Sequence, residues 1–423
     1  MNDQHSQQPD PVNPGMDPSI WRGLTQPRMS RRQMLRAAGT GAGALGVSAF
    51  LAACGVKGAT TAGGSSPKPG GVGSASWWDK QKLHKTVNFG NWPYYIDVLK
   101  GKHPTLEHFT QTTGIQVTYT EPISDNIPFY AKIRPSLQAK QYTGYDIIVM
   151  TTSSPALGYL IDYGWLTPLD HSAMTNFFKN ASPLVKNPAW DRGNKYTMAW
   201  QSGWTAIGYN SSLIKSPGDS NAILFDKKYA GKVGMMADPQ ELGSAGLLAI
   251  GVEPATSTES DWAKAAKKLQ QQKSDGIVRA YYDQDYINHL KNGDTVVSMA
   301  WSGDIVQLQL DNPKLKFVFP EKGSMLWTDN MMIPKNASHP YNAHLWMNFY
   351  YQPEIAAMVE DYVNYVCPVN GAKDVLLKQD PGVANNPLIF PTQDTLDNSF
   401  VFKALTPEEE LQFNQSFQAL QGA

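Results

Sequence analysis

The chain has 423 residues and a formal net charge of −1, with 41% hydrophobic and 17% charged residues. That is enough apolar material for real cores, which excludes a disordered chain, and the balanced charge excludes a nucleic-acid footprint, which needs a clustered basic excess. Only Cys54 and Cys367 carry thiols, too few for a thiolate metal centre, and no disulfide is expected.

Residues 1–28 are rich in Pro, Gln and Asp and lack apolar periodicity. Ser30-Arg31-Arg32-Gln33-Met34-Leu35 and Arg36 follow, then a mildly apolar Gly/Ala-rich run closing in Leu51-Ala52-Ala53-Cys54-Gly55. Charged residues, an apolar stretch and small residues before a cleavage point form an export signal. Paired arginines before a weakly apolar run resemble a twin-arginine signal. Leu-Ala-Ala-Cys resembles a bacterial lipobox, which implies that Cys54 becomes the lipidated first residue. About 17 residues diluted with Gly and Ala are marginal for spanning a bilayer of ~30 Å. Residues 1–53 are therefore read as a twin-arginine lipoprotein signal peptide and 54–85 as a flexible tether.

Strand and helix patterns then alternate, which predicts an α/β fold. Thr86–Phe89 reads as a strand, Leu106 to Thr112 as a helix capped by Gly114, and Ile115-Val117-Tyr119 as an alternating strand. Phe129–Ala139 reads as a helix and Tyr145–Met150 as a buried parallel strand. A second such region follows. It has strands at Lys232–Ala237, Ile277–Tyr281 and Thr295–Trp301, and helices at Leu242–Ile250, from the capping box Thr258-x-x-Asp261 to about Gln271, and at Tyr286–Lys291. Leu315–Phe319 and Leu326–Ile333 read as strands, and helices dominate from Pro340 on.

Two α/β regions suggest two lobes with a cleft between them, and ligands bind beyond the carboxyl ends of parallel strands. Those ends carry Trp92, Thr151–Ser153, Asp238–Glu241, Trp301–Asp304 and Trp327–Asp329. Acids and aromatics without a basic residue suit a cationic ligand with an apolar stem. Ammonium heads would pair with the carboxylates, and methylenes would lie against the rings. Singly, each residue has a plainer use: Asp238 and Glu241 as a helix N-cap pair, Asp329 in a turn, each Trp in packing.

From about Thr86 to Leu420 the chain resembles the bacterial spermidine/putrescine-binding proteins of ABC importers. The landmarks are Asn91-Trp92-x-x-Tyr95, Glu107-x-Phe109 with Thr113-Gly114-Ile115-x-Val117, Tyr145-Asp146-Ile147-Ile148-Val149, Thr205-Ala206-Ile207-Gly208-x-Asn210, Asp238-x-x-Glu241, Trp301-x-Gly303, Trp327-x-Asp329 and Tyr365-x-x-Pro368-x-Asn370. The resemblance implies a two-lobed type II periplasmic-binding-protein fold with discontinuous lobes, 86–202 with 328–373 and 203–327 with 374–423, hinged near Gly203 and Trp327. It implies that Trp92 and Tyr95 stack on a polyamine, that Asp238 and Glu241 hold one amino group and Asp329 another, that Trp301 and Trp327 sandwich the methylenes, and that Tyr365 completes the walls. Thr151 and Ser153 stand where the family has Ser-x-Tyr, Pro93 replaces a polar residue, and Phe402 aligns with a ligand-contacting glutamine. The implied partners are the polyamine, an ABC permease with its ATPase subunits, and the membrane through a lipid anchor. The protein would act as a monomer, with no cofactor, no metal and no nucleic acid.

Two other readings remain. A ferric-ion receptor uses adjacent tyrosines, and Tyr281-Tyr282 and Tyr350-Tyr351 are present. A secreted enzyme could use Asp238 and Glu241 as an acid/base pair, although residues three apart on one turn flank a bond poorly. No G-x-S-x-G or H-E-x-x-H is present.

Overall fold

The computed structural model describes residues 71–421 except 216, 219, 220, 284, 321 and 322. The paired arginines, Cys54 and residues 54–70 of the expected tether lie outside these residues; the later part of that stretch is not a free tether, because Ala75–Trp78 forms a helical turn and Trp78 packs in the first core.

Strands β1 (Thr86–Gly90), β2 (Gln116–Thr120) and β3 (Ile147–Thr151) run parallel, with β1 in the middle. The long β4 (Thr197–Asn210) follows. Strands β5 (Val233–Met236), β6 (Val278–Tyr282) and β7 (Val297–Trp301) repeat the parallel arrangement, with β5 in the middle. Strands β8 (Leu315–Val318), β9 (Ser324–Met332) and the short β10 (Ser399–Phe400) complete one sheet of order β2-β1-β3-β9-β4-β7-β5-β6, with β8 beside β4 and β10 beside β9.

Helices begin and end where local chemistry dictates. The helix Pro104–Thr113 starts on a proline and stops at Gly114, whose φ of 75° is a left-handed turn open to glycine. Asp125 caps the helix Asn126–Gln138, and Asp238 caps Pro239–Ala249. Thr258 and Asp261 form the expected capping box of Glu259–Ser274.

Two apolar cores sit on either side of the sheet's midline. Phe89, Ile147–Met150, Trp200 and Trp346 belong to the first, and Val233, Trp262, Leu269 and Val297 to the second. The stretch expected with the second lobe after residue 373 divides: Leu376, Val383 and Ile389 pack in the first core, and Phe413, Phe417 and Leu420 in the second. The reason is local. The helix Ala372–Gln379 lies against the helix Pro353–Val363, so the chain crosses over only afterwards.

The halves are joined by the antiparallel pair β4–β9. The far end of β9 pairs with β3 from Asp329 to Met332, while the far end of β4 pairs with β7 from Thr205 to Tyr209. At the crossing Gly203 lies opposite Trp327. A Cβ on Gly203 would meet the Trp327 ring at 2.6 Å and Tyr365 at 2.9 Å, so only glycine allows both rings onto the strand. Gly203→Ala should therefore lower stability by ~1–3 kcal/mol through overpacking. Denaturant unfolding measures this, and an unchanged midpoint would show that the rings can leave the strand at no cost.

Candidate ligand-binding cleft

All ten side chains expected to meet a ligand line one cleft: Trp92, Tyr95, Thr151, Ser153, Asp238, Glu241, Trp301, Trp327, Asp329 and Tyr365. Tyr95, Thr151 and Asp329 come from the first half. Glu241 heads a helix of the second half, and Trp301 ends β7.

At one end Asp329 sits opposite Thr151 across the β3–β9 pair. The Thr151 hydroxyl donates to Asp329 Oδ1 at 2.5 Å, and the Tyr95 hydroxyl donates to Oδ2 at 2.6 Å. Burial pushes the Asp329 carboxyl up to about 6, while these two donors pull it back. Asn126 fixes Thr151 through bonds to its amide and hydroxyl at 3.0 and 3.1 Å.

At the other end Asp238 Oδ1 accepts the Glu241 amide at 2.9 Å, so the plainer N-cap use is real and coexists with a place in the cleft. Glu241 Oε1 accepts from Thr205 Oγ1 at 2.9 Å and from Trp301 Nε1 at 3.4 Å. Its other oxygen, Oε2, is buried without a partner. Burial, then the neighbouring Asp238, pushes Glu241 up to about 8. Asp238 is raised to about 6, mainly by surrounding protein. Its side chain is nevertheless exposed to cleft water, which limits that rise and makes Glu241 the more perturbed of the two.

The walls are aromatic. Tyr365 meets Tyr95 edge-on at 5.4 Å between centroids and Trp327 at 5.5 Å. Buried Asp304 accepts the Tyr365 hydroxyl at 3.1 Å and the Tyr286 hydroxyl at 3.0 Å, and Tyr286 in turn accepts the Trp301 amide. Gly303 lets Tyr365 lie on the backbone, since a Cβ there would come within 2.5 Å of its ring. Trp327 Nε1 donates to Thr205 Oγ1 at 3.2 Å. Thr205 thus links a carboxylate of one end to a tryptophan wall, a role that its motif did not reveal.

Pro93 also lines the cleft, whereas Phe402 packs in the first core instead. Asp125 and Asp283 line it too. Both follow strands, β2 and β6, so the strand-end rule applied to those two strands would have found them. Tyr350 and Tyr351 do not line it; their hydroxyls donate to the Trp200 and Ala199 carbonyls inside the first core. Among the described residues no group of three His, Cys, Asp or Glu could hold a metal ion.

Glu241 links folding to pH. Its folded-state pKa lies above its ordinary 4.5, so the neutral acid favours the folded state. That contribution is complete below about 4.5 and is lost as pH rises through about 8. Glu241→Gln should therefore flatten the fall in melting temperature between pH 5 and 8. Glu360, raised to about 8 elsewhere, is common to both proteins and cancels in the difference. Parallel melting curves for the two proteins would show that Glu241 ionises normally.

Residues 105–391 match the family of bacterial extracellular solute-binding proteins. The chain is 27% identical over 320 residues to the spermidine/putrescine-binding periplasmic protein of Escherichia coli, covering 74% of this chain and 86% of that one. It is 28% identical over 364 residues to the putrescine-binding periplasmic protein SpuD of Pseudomonas aeruginosa, covering 82% and 94%. The solved structure of a spermidine/putrescine ABC transporter from Listeria monocytogenes superposes with a TM-score of 0.70 at 27% identity, covering 80% of this chain and 99% of that one. With this sheet order, two cores and a cleft between them, the chain has the two-lobed fold of periplasmic binding proteins and belongs to the bacterial extracellular solute-binding proteins, which carry solutes and are not enzymes.

Proposed function

We propose that the chain is the extracytoplasmic receptor of a polyamine ABC importer. The observation that carries this reading is a cleft lined by Asp125, Asp238, Glu241, Asp283 and Asp329, with aromatic walls and no Lys, Arg or His among its lining residues. Carboxylates held by neutral donors have no internal counter-charge, so on losing their protons they pair with a cationic ligand. An ammonium head supplies the missing donor to Glu241 Oε2, and a second head pairs with Asp329. The alkyl stem lies between Trp301, Trp327 and Tyr365, with Trp92 and Tyr95 against its far end. Relatives named for spermidine and putrescine support this choice of ligand.

The lobes close about Gly203 and Trp327, where β4 and β9 cross from one half to the other. Among the described residues no helix is long and apolar enough to cross a membrane. Export through the paired Arg31-Arg32 and attachment through a lipid on Cys54 complete the proposal, on the motif Leu51-Ala52-Ala53-Cys54.

Truncating one partner of a desolvated charge pair costs ~2–5 kcal/mol. Asp329→Asn and Glu241→Gln should each weaken spermidine or putrescine binding by roughly 30-fold or more in calorimetry. If neither changes the affinity, these acids serve only as turn and cap. Wild-type affinity should rise from pH 5 towards 8, because Glu241 must give up its proton to pair while an alkylammonium, with a pKa of ~10.4, keeps its own. The measured enthalpy should then vary with the ionisation enthalpy of the buffer.

Cys54→Ala should release the protein from membranes without unfolding it. Retention of that variant through a high-salt, detergent-free wash would overturn the anchor.

A further inference from the structure

Asp304, only 1% exposed, stands shortly after Trp301 on the helix Ser302–Asp311 and does not itself line the cleft. Its two oxygens hold side chains from both halves. Oδ2 accepts the hydroxyl of Tyr286, which packs in the second core, at 3.0 Å. Oδ1 accepts the hydroxyl of Tyr365, which packs in the first core, at 3.1 Å. Tyr286 Oη also accepts the Trp301 amide at 3.0 Å, so its own proton is left for Asp304. A chain of bonds therefore runs from Trp301 through Tyr286 and Asp304 to Tyr365, joining a cleft wall of the second half to one of the first.

The frame around this chain of bonds is seated on both halves as well. Gln307 Nε2, on the same helix, donates to the Val363 carbonyl at 2.7 Å, at the end of the helix that leads into Tyr365. Ile305 packs in the second core and its neighbour Val306 in the first. The Tyr365 ring rests on Gly303, where a Cβ would meet it at 2.5 Å. A ring wall swings about its own side-chain torsions unless its far end is held, and bonds that end on a carboxylate are the strong ones. Apolar side chains would fill the same space at lower cost than a buried carboxylate. What the carboxylate adds is direction, with one oxygen aimed at each wall.

We infer that Asp304 is a positioning residue that fixes the width of the slot between Trp301 and Tyr365, and so makes the protein select the thickness of a ligand's apolar stem. The choice of ligand rests on the polyamine reading of the cleft; the clamp itself does not. Carboxylates at the two ends of the cleft read the charged heads and are indifferent to a side branch on the stem. Only the walls read a branch. Close-packed walls feel a single added methyl when they cannot move apart, and stop feeling it when they can.

The test is calorimetry of the mature protein with putrescine and with putrescine carrying one methyl branch on its chain, using Asp304→Ala, Tyr286→Phe and the double variant. Exchange of the Trp301 amide hydrogen is followed in parallel without ligand. The wild-type protein should prefer the unbranched diamine by roughly tenfold or more. Asp304→Ala and Tyr286→Phe should each shrink that preference to about threefold or less, and the double variant should shrink it no further than Asp304→Ala, because the bonds lie in one chain. Trp301 amide exchange should be faster in Asp304→Ala. If Asp304→Ala does not fold, Tyr286→Phe, which loses one hydroxyl and keeps its ring, carries the test of the preference alone. Equal losses for both diamines would make Asp304 a merely structural residue and overturn the inference, as would a wild-type protein that does not distinguish them. If the wild-type protein binds neither, the polyamine reading fails, and the clamp is judged by the Trp301 amide: unchanged exchange in Asp304→Ala overturns it.

Discussion

The cleft depends on carboxylates that are buried without a cation. Removing an ionised carboxylate from water costs several kcal/mol, and a charged partner normally returns part of it. Glu241 has no such partner; a threonine hydroxyl and an indole N–H hold one oxygen and nothing holds the other. Asp329 is held by a threonine and a tyrosine. The empty protein therefore carries a local instability that it relieves by keeping protons, and the same instability becomes affinity once a cation arrives.

That strain needs a frame that does not relax, and β4 with β9 provides it. Both strands are buried along nearly their whole length. Thr205 on β4 touches Glu241 and Trp327, while Gln201 on the same strand lies opposite Asp329. The acids at both ends are thus tied to one ribbon, so displacement of either half moves them relative to each other. Gly203 lies between them and lets Trp327 and Tyr365 rest on the main chain, so wall and frame are in direct contact.

Most of this was legible in the sequence. Buried parallel strands such as β3 announce themselves as apolar runs, and the capping box at Thr258 marked one helix start, whereas the helices read from Leu106, Phe129 and Leu242 begin earlier, at Pro104, Asn126 and Pro239. Eight of the ten expected residues that line the cleft stand at strand ends carrying acids, aromatics or hydroxyls, and Tyr95 and Tyr365 came from the family resemblance. The strand β4 escaped, because with nearly every residue buried it has no alternation, and two glycines interrupt it. Asp304 was noticed only as a strand-end residue; its use, gripping two tyrosine hydroxyls from behind, depends on contacts 61 and 18 residues away. The division of residues 374–423 between the cores was hidden for the same reason, since helix-on-helix contact decides it and spacing along the chain does not.

The choice of donors around the acids is itself informative. A lysine or arginine would have satisfied Glu241 and Asp329 more fully, and would also have neutralised the charge that a cationic ligand needs. Hydroxyl and indole donors orient a carboxylate without cancelling it. They are also short or rigid, so little side-chain entropy is lost in keeping them in place. The walls act in the same direction. Small inorganic cations gain little from Trp327 and Tyr365, because their hydration shells are stripped without an apolar stem to bury. An alkylammonium gains at both ends, through the carboxylate at its head and the ring faces along its chain. If the cleft takes a polyamine as proposed, its selection for a long organic cation follows from the pairing of neutral donors with aromatic walls, and it would be lost if either were replaced by a fixed positive charge.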